Sequence, residues 1–74
     1  MEQFIQHISE LFEETDSSLI KAGTAFKELD EWSSLMALSI IAMIDEEYGV
    51  TIGANAMKDA NTIEELYKEV MALK

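Results

Sequence analysis

Apolar residues recur along most of this chain at intervals of three and four, the spacing of one face of an α-helix. Phe4, Ile5, Ile8, Leu11 and Phe12 make the first such stripe, and Glu2, Gln6, Glu10, Glu13 and Glu14 fall on its wet side. From Thr15 to Trp32 the rhythm is lost, and the turn formers Asp16, Ser17, Ser18, Gly23 and Thr24 take over. A loop this long inside a small domain needs anchors. Leu19, Ile20, Phe26 and Leu29 are spaced to pin it against the helices.

The helical rhythm returns at Ser33, whose hydroxyl can accept a free backbone N–H and start a helix. Ser34 then takes the first helical position. The helix runs to about Tyr48, and Gly49 suits its C-terminal stop. Ile52 is expected to point inward, and Ala54 to Ala60 form a short third helix. Thr62 opens the last helix, with Glu65 placed to complete a capping box. Ile63, Leu66, Tyr67, Val70 and Met71 give that helix its stripe.

The second helix is apolar almost all round. Ala37, Ile40, Ile41, Ile44 and Tyr48 share one face, which suffices for packing. Leu35, Leu38 and Ala42 lie on another, near Ser39 and Glu46, and Met36 and Met43 sit on a flank. A helix of this kind is ordinarily buried, yet a chain of 74 residues has little with which to bury it. Either the long loop covers the second strip, or the strip is exposed for docking. The docking reading is the one adopted.

Charge narrows the partners. Fifteen acidic and five basic residues give a net charge of −10. Nucleic acid and anionic membrane surfaces need the opposite sign. Partners with basic patches are favoured, although acidity also serves solubility alone. At 49% apolar residues the chain is not a disordered acidic tail. The longest apolar stretch, Leu35 to Ile44, is ten residues broken by Ser39, too short to span a bilayer. No basic, apolar leader opens the sequence, so no secretory signal is expected, and the absence of cysteine fits a cytoplasmic location.

Without cysteine, any thiol chemistry needs a thiol from elsewhere. His7 is the one histidine, expected on the surface, and cannot build a metal site or a catalytic triad alone. Asp45, Glu46 and Glu47 read as a solvated face or partner patch, and Trp32 as a cover for the core. No metal ligand set or catalytic group emerges. Ser34 stands at a helix N-terminus whose free N–H groups and dipole favour a phosphate, but on this evidence alone it is an ordinary N-terminal serine, a residue common there for structural reasons.

The segment Phe26-Lys27-Glu28-Leu29-Asp30-Glu31-Trp32-Ser33-Ser34-Leu35, followed by an apolar helix ending Asp45-Glu46-Glu47-Tyr48-Gly49-Val50, resembles the acyl carrier protein family. That family carries an Asp-Ser-Leu motif whose serine receives 4′-phosphopantetheine. Ser33-Ser34-Leu35 occupies the motif, which makes Ser34 the matching attachment serine. The resemblance covers essentially the whole chain. Three features depart from it. Ser33 replaces the usual aspartate, Trp32 is inserted before the motif, and Met36 and Ser39 stand where fatty-acid carriers often have acids.

Pattern and resemblance together give an all-α fold. It is a four-helix bundle with three longer helices, one short helix and a long loop between the first two, as one carrier domain over residues 1–74. The resemblance implies a non-catalytic, monomeric carrier. A phosphopantetheinyl transferase would move the arm from coenzyme A to Ser34, and the arm's thiol would hold acyl cargo as a thioester. Acyl-transferring or acyl-modifying enzymes with basic or apolar docking patches are the implied partners, with no nucleic acid and no membrane insertion. The departures lean toward a dedicated biosynthetic pathway. An aminoacyl or peptidyl carrier of the same fold, and an unmodified acidic helical adaptor, are the alternatives. Ile41, Ile44, Ile52, Met57 and Tyr67 are the expected lining of a cargo shelter between the second helix and the last two.

Overall fold

A computed structural model describes residues 1–74. Its elements are α1 (Glu2–Leu11), α2 (Ser34–Tyr48), α3 (Ala54–Asp59) and α4 (Ile63–Leu73), with short 3₁₀ turns at Ser17–Leu19 and Phe26–Glu28 in the long loop. There is no strand, and the four-helix bundle with three longer helices and one short one is observed as expected. No helix is long and apolar enough to cross a membrane.

Fourteen of the 74 residues are buried, and every one is apolar. α1 contributes Phe4 and Ile8, with Phe12 just past its end, while Ile5 and Leu11 are half-buried at the edge of the stripe. α2 contributes only Ile40 and Ile44. Ile63, Leu66 and Val70 come from α4, and Val50, Ile52, Met57 and Ala60 fill the α3 side. Phe4 joins three elements through edge-on contacts, with ring centroids 5.7 Å from Tyr48 and 5.3 Å from Tyr67.

Each helix end follows from local chemistry. Ser33, in extended conformation, accepts the N–H of Met36 at 3.2 Å and starts α2. Gly49 closes it in the left-handed region at φ 66°, where a side chain would be strained, and donates its N–H to the carbonyl of Asp45. At α4 the Thr62 hydroxyl accepts the Glu65 N–H at 3.2 Å. The Glu65 carboxylate reaches back to the N–H of Asn61 at 2.8 Å, one residue beyond the capping box that the spacing predicts.

The long loop is tied down at both its side chains and its backbone. Ile20 and Phe26 are buried, and Trp32 packs edge-on against Phe26 with centroids 5.3 Å apart. Leu19 is 58% exposed and pins nothing, because the 3₁₀ turn that carries it directs the following Ile20 inward instead. The carbonyls of Thr24 and Ala22 accept the N–H groups of Ile63 and Glu64, at 3.3 and 2.8 Å. Two orphan donors of α4 are thereby satisfied by the loop itself. The Glu31 carboxylate accepts the Glu14 N–H at 3.0 Å and the Thr15 hydroxyl at 2.6 Å, holding the exit from α1.

The contrast between Phe26 and Leu19 can be measured. Phe26→Ala should cost about 3–5 kcal/mol in urea unfolding, enough to unfold much of a domain this small, because it leaves a cavity in the core. Leu19→Ala should stay within about 0.5 kcal/mol of the parent.

Burial pushes the Tyr48 phenol above its ordinary value of 10.0, reinforced by the neighbouring Tyr67 and Glu47. The neutral phenol is therefore the form that the fold prefers. Its contribution to stability is complete below about pH 10 and is lost as pH rises through the higher folded-state value. Melting temperatures followed from pH 9 upward should fall less steeply in Tyr48→Phe than in the parent.

Candidate functional site

The head of α2 gathers the features that matter. Ser33 forms the cap and leaves the Ser34 hydroxyl unengaged and exposed. The first intrahelical bond runs from the Ala37 N–H to the Ser33 carbonyl at 3.0 Å, so the N–H groups of Ser34 and Leu35 have no partner. No acid stands in the first turn. Free donors and the positive end of the helix dipole thus meet at an accessible hydroxyl without a competing carboxylate.

Rotation of the helix decides what surrounds Ser34. Positions 34, 37, 38 and 41 share a face by their i, i+3, i+4, i+7 spacing. That face forms one side of an open cleft of about 450 Å³ that reaches α3. Ser34, Ala37, Leu38 and Ile41 line it from α2, Met57 and Ala54 line it from α3, and Trp32 lines it from the end of the loop. Lys27 and Lys58 complete its boundary.

The expected shelter is only partly this one. Ile41 and Met57 line the cleft, whereas Ile44, at 0%, and Ile52, at 2% exposed, are sealed in the core. Tyr67 faces a separate hollow with Tyr48 and the first residues of the chain. The reason lies in the same rotation. Ile40 and Ile44 point into the core, and the ridge beside them, Ala37 and Ile41, is the one that α3 faces. Trp32 covers Phe26 as expected and also lines the cleft. Lys27 and Lys58 line the cleft and were not singled out by the sequence. Lys27 reaches the carbonyls of Lys58 and Met57, at 2.7 and 3.2 Å, and no sequence rule links a loop lysine to the end of a distant helix.

The second strip of α2 is in water. Leu35 is 76% and Leu38 61% exposed, and Ser39, Ala42 and Glu46 are exposed beside them, so the loop does not cover it. The acidic trio at the foot of α2 is divided. Asp45 accepts the Thr51 hydroxyl at 3.3 Å, and Glu47 lies 3.8 Å from His7 Nε2. Glu46 alone is left to the strip. His7 is half-buried rather than a free surface residue, lying edge-on to Tyr48 and between Glu10 and Glu47. No group of three metal-ligating side chains is assembled anywhere in the molecule.

A phosphate ester and its appended chain fit this geometry. The hydroxyl is open, two unpaired N–H groups stand beside it, no carboxylate crowds the first turn, and an apolar cleft leads away from it. Comparison with known families matches the model described as phosphopantetheine attachment site over residues 2–70. Neither the curated proteins nor the solved structures yield a significant match. The match spans nearly the whole chain, from the start of α1 into α4, so this protein belongs to the phosphopantetheine attachment-site family, a carrier whose prosthetic group is 4′-phosphopantetheine.

Proposed function

We infer that Ser34 is the attachment residue and that residues 1–74 act as a single, monomeric acyl carrier domain serving a dedicated biosynthetic pathway. The observation that carries this reading is the free, exposed Ser34 hydroxyl at the head of α2, beside two unpaired N–H groups and at the mouth of the cleft. When bound, the prosthetic group supplies a terminal thiol that this cysteine-free chain lacks, and on it cargo rides as a thioester. The chain's own residues do the rest. Ser34 fixes one end of the arm, the α2 N-terminus favours its phosphate, and the cleft walls offer apolar cover. Tethering raises the local concentration of cargo at each enzyme that docks.

Docking falls to the strip below Ser34. Leu35 and Leu38 are large, apolar and in water, with Ala42 and Glu46 further down the same side. A phosphopantetheinyl transferase and acyl-handling enzymes are the partners that this surface suits. Met36 and Ser39 hold no charge, so the apolar contacts carry more of the affinity than electrostatic matching does. An aminoacyl or peptidyl cargo would use the same residues.

Incubation with coenzyme A and a promiscuous transferase, followed by mass spectrometry, tests the attachment. The parent should gain one phosphopantetheine, and Ser34→Ala should fold normally and gain none. Uptake that persists in that variant, or that maps to Ser33, overturns the assignment. No uptake at all by the parent favours the unmodified adaptor.

Docking is tested by two variants that touch no core residue. Leu38→Ala should weaken binding to the cognate enzyme by about 1 kcal/mol or more, mainly through faster dissociation. Glu46→Gln should alter chiefly the association rate and its dependence on salt. A Leu38→Ala protein that folds and binds normally would move the docking surface elsewhere.

A further inference from the structure

The cleft beside Ser34 carries the opposite charge to the rest of the molecule. The chain has 15 acidic and five basic residues. No acid lines the cleft, whereas Lys27 and Lys58 both do. The two lysines come from different elements, the second 3₁₀ turn and the last turn of α3. Lys27 donates to the carbonyls of Lys58 and Met57, at 2.7 and 3.2 Å, where the α3 dipole is negative. An ammonium has three donors, so one remains, and its position is fixed. Neither lysine forms an ion pair, although Glu28 and Asp59 adjoin them in sequence. Two unneutralised ammonium groups beside apolar walls place local positive charge on a chain whose net charge is −10. Next to such walls an opposite charge interacts more strongly than in open water.

We propose that Lys58, with Lys27 held beside it, forms an anion subsite in this cleft for an anionic oxygen group carried on the arm at Ser34. The inference rests on the reading of Ser34 given above. Two groups of that chemistry come within reach. One is the arm's own phosphodiester, joined directly to the Ser34 oxygen. The other is a carboxylate at the far end of a cargo folded back into the cleft, its carbon chain lying against Trp32, Ile41 and Met57. Lys27 also caps α3, so its removal disturbs the fold. The Lys58 ammonium holds nothing else, and Lys58 is the residue that separates binding from folding.

The test uses protein whose mass places the arm on Ser34. Samples are prepared with the arm alone, with a pentanoyl cargo and with a glutaryl cargo, which differ at the far end by a carboxylate. Melting temperature and the ³¹P resonance of the phosphodiester are read for the parent, Lys58→Gln and Lys27→Met. If the cargo carboxylate is the ligand, the glutaryl form of the parent melts about 2–5 °C above the pentanoyl form. That gap closes in Lys58→Gln and shrinks with salt. If the phosphodiester is the ligand, the ³¹P resonance of the arm alone moves in Lys58→Gln and the two cargoes melt together. Should Lys27→Met fail to fold, Lys58→Gln decides. If neither the gap nor the resonance depends on either lysine, there is no anion subsite, while the mass gain at Ser34 keeps the carrier reading intact. If the arm cannot be attached at Ser34, both fall together.

Discussion

The burial of Ile40 and Ile44 sets the rotation of α2, and most of what lies outside the core follows from it. These are the only α2 residues sealed from water, and they belong to the same core cluster as Phe4 and Ile8 of α1 and Leu66 and Val70 of α4. Turning the helix by a single residue would withdraw about 100° of that face. It would bring Ser39 and Met43, or Ile41 and Asp45, to the core side in place of Ile40 and Ile44. With the ridge fixed, Ala37 and Ile41 turn toward α3, Leu38 and Leu35 turn to water, and Ser34 stands at the border between them. An apolar helix in a small domain cannot be covered on every side. The surplus apolar surface is concentrated in the strip of Leu35 and Leu38 and in the cleft beside it.

The loop is the second structural device. A segment of this length without regular structure is a liability for a compact domain, since its backbone groups must find partners. Here the loop supplies partners to the helices. Its carbonyls at Ala22 and Thr24 satisfy the first turn of α4, Glu31 holds the residues that leave α1, and Lys27 satisfies the last carbonyls of α3. Phe26 is the side chain that keeps these groups in reach, at 0% exposure in the core. The ends of α1, α3 and α4 therefore depend on the same loop, and the head of α2 follows directly from it through Trp32 and Ser33. The short α3, which has no side-chain cap of its own, leans on this support most.

The longer helices were legible in the sequence because each has an apolar stripe, and two carry local boundary signals: the start at Ser33 and the stop at Gly49 for α2, and the start at Thr62 with Glu65 for α4. The position of Ser34 was legible for the same reason, since a cap and a helix start are local properties. The cleft was not. Its expected lining drew on the core stripe, and the core stripe is what a close-packed interior consumes, as Ile44 and Ile52 show. The series 34, 37, 38 and 41 contained the answer as a flank of the helix, but a flank becomes a wall only when another element faces it. The residues from other elements, Lys27, Trp32 and Lys58, are distant in sequence, and nothing local places them together. Leu19 failed as an anchor because in a 3₁₀ turn neighbouring residues diverge in direction, and Ile20 took the inward place.

Leu38 links the two surfaces of α2. It lines the cleft and is also 61% exposed within the outward strip. A protein seated on the strip must therefore desolvate one wall of the cleft in the same act, and cannot contact Leu38 without narrowing the space beside Ser34. For a partner docked on the strip as proposed, docking and access to the cleft would be a single physical event. The charge distribution points in the same direction. Acids are absent from the cleft and from the first turn of α2, and along the strip the first of them is Glu46, further down the helix from Leu38 and Ala42. On the docking proposed above, a partner drawn by that charge would arrive at the foot of the strip, while the apolar contacts that would hold it lie toward Ser34. Rim charges of this kind act on encounter, and desolvated apolar contacts act on residence. The long-range and short-range parts of the proposed recognition would thus be separated along one helix, with the Ser34 hydroxyl at the short-range end.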